Sequence, residues 1–120
     1  MKAHRAVLVA ALSLLFLTTA VVAHHAVGEE YDSEKPITLK GTVTKVEWAN
    51  PHARLYVEGT TTRSTDLINW EVLLASPNLL ALNGLKINSL RPGDHVTVSA
   101  YPARNGSHLA YANKVKRDTH

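Results

Sequence analysis

The stretch Ile37 to Trp48, ITLKGTVTKVEW, constrains the fold more than any other part of the chain. Ile37, Leu39, Gly41 and Val43 share one face at period two, but the next apolar residues are Val46 and Trp48. The phase slips by one between Val43 and Val46. A β-bulge near Thr44–Lys45 restores a single buried face, and Gly41 lets the strand bend. Long, bent and bulged is what a first strand needs to serve two sides of a small barrel.

The remaining segments supply partners for that strand. Asn50-Pro51-His52 is a turn by composition, and Ala53 to Glu58 alternates with Leu55 and Val57 inward and Arg54, Tyr56 and Glu58 outward. Gly59 to Thr65 reads as a polar hairpin loop. Ile68, Trp70, Val72 and Leu74 mark a third strand, with Asn69 and Glu71 facing outward. Ser76 then caps a short helix, Pro77 suits its first turn, and Gly84 ends it. Arg91-Pro92-Gly93-Asp94 has type II turn order, and Val96, Val98 and Ala100 form a fourth strand. Arg104-Asn105-Gly106 signals a hairpin into a fifth strand, Ser107 to Val115, with Leu109 and Tyr111 on one face. The order β-β-β-α-β-β predicts a mainly β fold: a five-stranded, OB-like, partly open Greek-key barrel with one short helix between strands three and four. An open meander with a helix on one face is the rival.

Ahead of the barrel, Lys2, His4 and Arg5 precede an apolar run from Ala6 to Leu17 and a small-residue stretch ending at Ala23. That pattern predicts a signal peptide over residues 1–23, cleaved after Ala23. The run is shorter than the roughly 20 residues that span a bilayer, so no transmembrane anchor is expected after processing. An extended acidic lead-in follows over 24–36, then the barrel domain over 37–116 and a tail over 117–120. Loss of Lys2 and Arg5 moves the net charge from +3 towards neutrality. No strong pull towards nucleic acid or anionic membrane follows. The chain has no cysteine, which excludes disulfides, thiolate ligands and a Cys nucleophile. The expected location is periplasmic or extracellular.

The run EEYDSEKPITLKGTVTKVEWANPH, Glu29 to His52, resembles the DUF6152-type family of small exported bacterial proteins of unknown function. Those proteins show a histidine pair after the leader and an EYD…KP…L.G.V..VEW.NPH core. Asn69-Trp70, Ser76-Pro77-Asn78 with the leucines that follow, Arg91-Pro92-Gly93-Asp94 and Tyr101-Pro102-Ala103 also fit. The resemblance covers nearly the whole chain after the leader and implies an OB-like exported domain. It implies no activity, because the family has none assigned.

Cleavage after Ala23 makes His24 the N-terminal residue, whose amine and imidazole together suit Cu(II). His25 adds a nitrogen, and His52 is a candidate third ligand, so copper is the one cofactor the residues suggest. A mobile polar terminus with ordinary surface histidines is the plainer reading. In OB-like barrels the loops joining strands one to two and four to five flank the face of strands two and three. That places Asn50, His52, Arg54, Tyr56, Arg104 and His108 in one candidate ligand-binding neighbourhood. Asn50 and His52 serving only their own turn is the structural alternative. Trp48 and Trp70 lie on the inward faces and are expected in the core. No nucleophile elbow, paired catalytic acids or phosphate-binding glycine loop appears, so catalysis is not expected. The residues therefore predict an exported, noncatalytic binding module for an unknown small ligand, metal ion or envelope protein, with no nucleic acid partner. A copper-binding envelope protein and a protein-interaction domain are the two alternatives.

Overall fold

A computed structural model describes residues 30–118. The predicted signal peptide and the pair His24–His25 lie outside the described residues. Five strands carry the fold: β1 (Ile37–Glu47), β2 (Arg54–Thr61), β3 (Ser64–Leu73), β4 (His95–Pro102) and β5 (Leu109–Arg117). One helix, α1 (Pro77–Leu82), lies between β3 and β4. The strand order β1-β2-β3-β5-β4 returns on itself as a closed barrel, the expected OB-like order. Every ladder is antiparallel except β3 with β5, which is parallel and spans three residue pairs, from Glu71↔Leu109 to Leu73↔Tyr111. That seam is the shortest in the ring.

β1 does the work its sequence demands. Ile37 to Thr42 pair with β4, and Leu39 to Glu47 pair with β2, so the strand's first half is bonded on both sides. The register shifts between Val43 and Lys45, where the alternation slips. After this bulge Val46 and Trp48 turn back to pack against the core. The loop before β4 hooks over the same point, with Val43 N–H donating to Asp94 O and Gly93 N–H to Val43 O, both at 2.8 Å.

The core consists of the inward residues of all five strands. Leu39, Val43, Leu55, Val57, Val72, Val96 and Val98 are essentially inaccessible, and Leu74 and Leu90 close the ends. At about 25 cal/mol per Å2 of apolar surface, this burial is the main stabilising term in a domain without disulfides. Trp70 is buried as expected, whereas Trp48, also expected in the core, is half-buried and packs against it.

The short elements follow their local chemistry. The Ser76 hydroxyl accepts from Leu79 N–H at 3.3 Å, and Pro77 sits in the first turn of α1. At the other end Gly84 has φ +87°. Gly84 N–H donates to Ala81 O and Leu85 N–H to Leu80 O, the paired bonds of a Schellman stop. Gly93 has φ +95°, and Asp94 N–H donates to Arg91 O, closing the expected turn.

Two expectations need correction. The segment 59–65 is not a loop: β2 runs to Thr61 and β3 starts at Ser64, leaving Thr62 and Arg63 at the turn. β-Branched threonines suit extended backbone, and Gly59 pairs with both Gly41 and Ile68. The fifth strand is also shifted: it runs Leu109–Arg117 rather than Ser107 to Val115, with Leu109 and Tyr111 on one face as expected, the outer one. Ala110 is fully buried and Ala112 and Val115 pack on the core, whereas Leu109 and Tyr111 are half-buried on the outer side. Where β5 meets β3 and β4, the small side chains are the ones that fit inside. The lead-in also joins the sheet: Tyr31 is buried and bridged to Ala103, and Asp32 N–H donates to Pro102 O.

Candidate functional site

β2 is buried at Ala53, Leu55 and Val57, so alternation sends His52, Arg54 and Tyr56 outward as one row. Register supplies the neighbours. Glu47 on β1 stands opposite Arg54 and Lys45 opposite Tyr56, while Glu71 on β3 stands opposite Tyr56.

These side chains engage one another. The Arg54 guanidinium donates through Nη1 to Glu71 Oε1, and the Tyr56 hydroxyl donates to the same oxygen at 3.3 Å. Lys45 Nζ lies 2.9 Å from Glu47 Oε1 and 5.2 Å from the centre of the Tyr56 ring. The electrostatics follow from these contacts. The hydrogen bond to Glu47 raises Lys45 above its ordinary value, and the same bond lowers Glu47. Glu71 raises Arg54 through its hydrogen bond. Tyr56 is raised first by desolvation, then by the Glu71 charge. The face thus carries two cations and two carboxylates that neutralise each other.

His52 stands at the head of the row. Its Nδ1 lies 2.8 Å from the Leu74 carbonyl oxygen. A carbonyl only accepts, so Nδ1 carries the proton, and in the neutral ring Nε2 keeps a free lone pair. On its other side His52 meets Tyr111 edge-on, with ring centroids 6.4 Å apart, and Tyr111 in turn meets Tyr31 at 5.8 Å. The charged row therefore grades into an aromatic end. The Asn50–Pro51 bond preceding His52 is cis, and Asn50 is exposed.

The other two predicted site residues make their contacts elsewhere. His108 is exposed, and its ring lies tilted against Trp70 with centroids 5.4 Å apart. Arg104 lies 4.0 Å from Asp32 and holds the lead-in. The Trp70 Nε1–H is buried with no hydrogen-bond partner among the described residues. The sequence places Arg54, Tyr56 and His52 together and Glu71 on an outward face, but it does not bring Glu71, Lys45, Glu47 or Tyr111 to them. Only the register could have found them. Among the described residues no group of three or more His, Asp or Glu side chains is arranged to hold a metal. No helix among them is long and apolar enough to cross a membrane.

The fold and this face define a small OB-like barrel with a self-neutralised polar row on its outer wall. The chain belongs to DUF6152, a family of unknown function, whose model matches residues 11–112. No curated protein matches the chain.

Proposed function

We propose that the chain is an exported, noncatalytic binding module whose ligand face is the outer row His52, Arg54 and Tyr56 with Glu71 opposite. The observation that carries this reading is the placement of Arg54, Tyr56 and Glu71. Two donors, the Arg54 guanidinium and the Tyr56 hydroxyl, converge on one Glu71 carboxylate oxygen at the surface, where exposed ion pairs do little to hold a fold. A ligand able to exchange hydrogen bonds with them need not displace net charge, so a polar, neutral small molecule suits the face better than a polyanion. Nucleic acid recognition would want unpaired cations along a groove, and here each cation has a carboxylate beside it. The basic start and short apolar run before Ala23 support export to the periplasm or beyond.

The test is a heteronuclear NMR titration of the processed chain against neutral oligosaccharides, amino acids and organic acids. Shifts should cluster at His52, Arg54, Tyr56 and Glu71. The double substitution Arg54→Ala with Tyr56→Phe should abolish them while leaving the melting temperature within a few degrees. Shifts centred elsewhere, or unfolding of the double variant, would count against the reading.

Copper is the second reading, and the Nδ1 bond to Leu74 favours it. A backbone acceptor on one nitrogen fixes the tautomer that leaves the other free to ligate. His52 Nε2 would supply one nitrogen, and the His24 amine and imidazole with His25 are the nitrogen donors of the processed terminus. Electron spin resonance of a Cu(II) titration should show nitrogen ligation that weakens sharply when one residue is added before His24, and weakens again in His52→Gln. Unchanged spectra in both would remove this reading.

A further inference from the structure

β5 outruns its neighbour. β3 pairs with it only as far as Leu73↔Tyr111, after which the chain leaves the sheet for Leu74, Ala75 and α1. β5 continues to Arg117 with β4 on its other side. From Ala112 onward, no strand among the described residues pairs with its second edge. A groove of about 610 Å3 lies there, between that edge and α1. Leu74, Leu79, Leu80 and Leu85 form one wall, and Ala112 and Val115 stand on the strand side. α1 leaves its apolar residues uncovered: Leu79 is 50% exposed and Leu82 84%, and Ile87 just beyond the helix is 59%.

We propose that this groove receives an extended segment of a partner protein that alternates apolar side chains with carboxylates, added as a further strand along β5. This goes beyond the ligand face described above and uses a different surface. An added strand takes its affinity from main-chain hydrogen bonds to an open edge. Its alternate side chains point to opposite sides, so one set meets the leucine wall while the other stays at the rim. The charge specifies the second set. Lys114 lines the groove and no carboxylate does, while Lys116 and Arg117 follow on the exposed strand. The same charges disfavour a second copy of this chain, since two β5 edges side by side would bring their cations together. The chain's own acidic segment is engaged elsewhere, because Tyr31 and Asp32 are bonded to Ala103 and Pro102.

The test is an array of random twelve-residue synthetic peptides probed with the labelled full chain. Retained peptides should alternate acidic and apolar residues and lose at least tenfold in binding when a central residue becomes proline. Lys114→Glu and Leu79→Asp, both at accessible positions, should each weaken binding at least tenfold, whereas Lys40→Glu on β1 should leave it unchanged. Backbone amide exchange in the unaltered protein should slow over Ala112–Arg117 when such a peptide is added, which reports the site even if a variant misfolds. Retention of basic peptides, of none, or equal binding by Lys114→Glu would overturn the proposal. So would adsorption to anionic phosphatidylglycerol vesicles with no peptide preference, which would make the patch a membrane contact.

Discussion

Gly59→Ala probes the closest passage in the barrel. Gly41 and Gly59 face each other across the β1–β2 ladder. A Cβ added at 59 would sit 2.2 Å from the Lys40 carbonyl oxygen and 2.8 Å from the Gly41 Cα. Both are backbone atoms, so no side chain can swing aside. Ordinary contacts of this kind begin at 3.4 Å, and the strands must therefore part locally by roughly 1 Å. A ladder hydrogen bond of about 2.9 Å stretched that far is no longer one. β1 is also held on its far side by Gly41↔Val96, so it cannot retreat without straining a second ladder. Overpacking costs about 1–3 kcal/mol, and two lost ladder bonds add about 1 kcal/mol each. The expected loss is about 3–5 kcal/mol, a large share of the roughly 5–15 kcal/mol that holds a domain together. Urea unfolding followed by tryptophan fluorescence measures it, and the melting temperature should fall by on the order of 15–30 °C. Gly93→Ala is the comparison: its Cβ would meet nothing within 4 Å, and only φ +95° opposes it. A left-handed alanine costs about 1–2 kcal/mol. If Gly59→Ala proves no more harmful than Gly93→Ala, the close passage is not what fixes this pairing.

Three further outcomes are expected. Tyr56 should ionise above the ordinary tyrosine range, since desolvation and Glu71 both disfavour its phenolate. The folded state therefore holds that proton more tightly than the unfolded chain, so the linked stability is complete below about pH 10 and is lost as pH rises through the raised value. Absorbance titration at alkaline pH, with Tyr56→Phe as the reference, reads this directly, and Glu71→Gln should reduce the rise. Trp70→Phe should cost less than about 1.5 kcal/mol because it removes a buried donor that has no partner, whereas Trp70→Ala should cost about 3–5 kcal/mol through the cavity it opens; chemical denaturation of both variants checks the contrast. Amide exchange should be faster at the β3–β5 seam than in the first half of β1, since three residue pairs hold the one and two ladders hold the other; equal protection would show that the seam is not the weak point.

The parts of the fold that were legible are those set by local chemistry. The slipped alternation at Val43–Val46 announced the bulge, Ser76 and Gly84 announced both ends of α1, and Pro92-Gly93 announced its turn. Each is a requirement of neighbouring residues on their own backbone. The errors arose where distant elements decide. Leu109 and Tyr111 share one face of β5 as their spacing predicts, but spacing alone does not say which face is inner. The barrel has room there only for Ala110 and Ala112, and the tyrosine finds its cover outside, against Tyr31 and His52. The hairpin was drawn too wide because threonine and glycine read as loop when their pairing partners are unknown. The candidate face divides in the same way. His52, Arg54 and Tyr56 follow from period two within one strand, but Lys45, Glu47 and Glu71 reach them only through register. Arg104 and His108 share a loop in sequence, yet one turns to Asp32 and the other to Trp70.

The two surfaces proposed for recognition differ in a way that follows from the seam. Across β1, β2 and β3 the ladders are long, so oppositely charged residues come within reach and neutralise each other: Lys45 with Glu47 two positions along β1, Arg54 with Glu71 diagonally across the β2–β3 ladder. Past the seam no described strand pairs with the second edge of β5, and β4 on its other side sets Ser99, Thr97 and Val96, none of them a carboxylate, opposite Lys114, Lys116 and Arg117. Added salt should therefore act on the two differently. Screening acts on unpaired surface charge over about 10 Å at ordinary ionic strength. A neutral ligand on the outer row exchanges hydrogen bonds at little net electrostatic cost, so its affinity should barely change with salt. A carboxylate-bearing strand on β5 gains attraction that salt removes, so its affinity should fall steeply. The same short seam that leaves a groove beside α1 thus also sets the charge of whatever fits it.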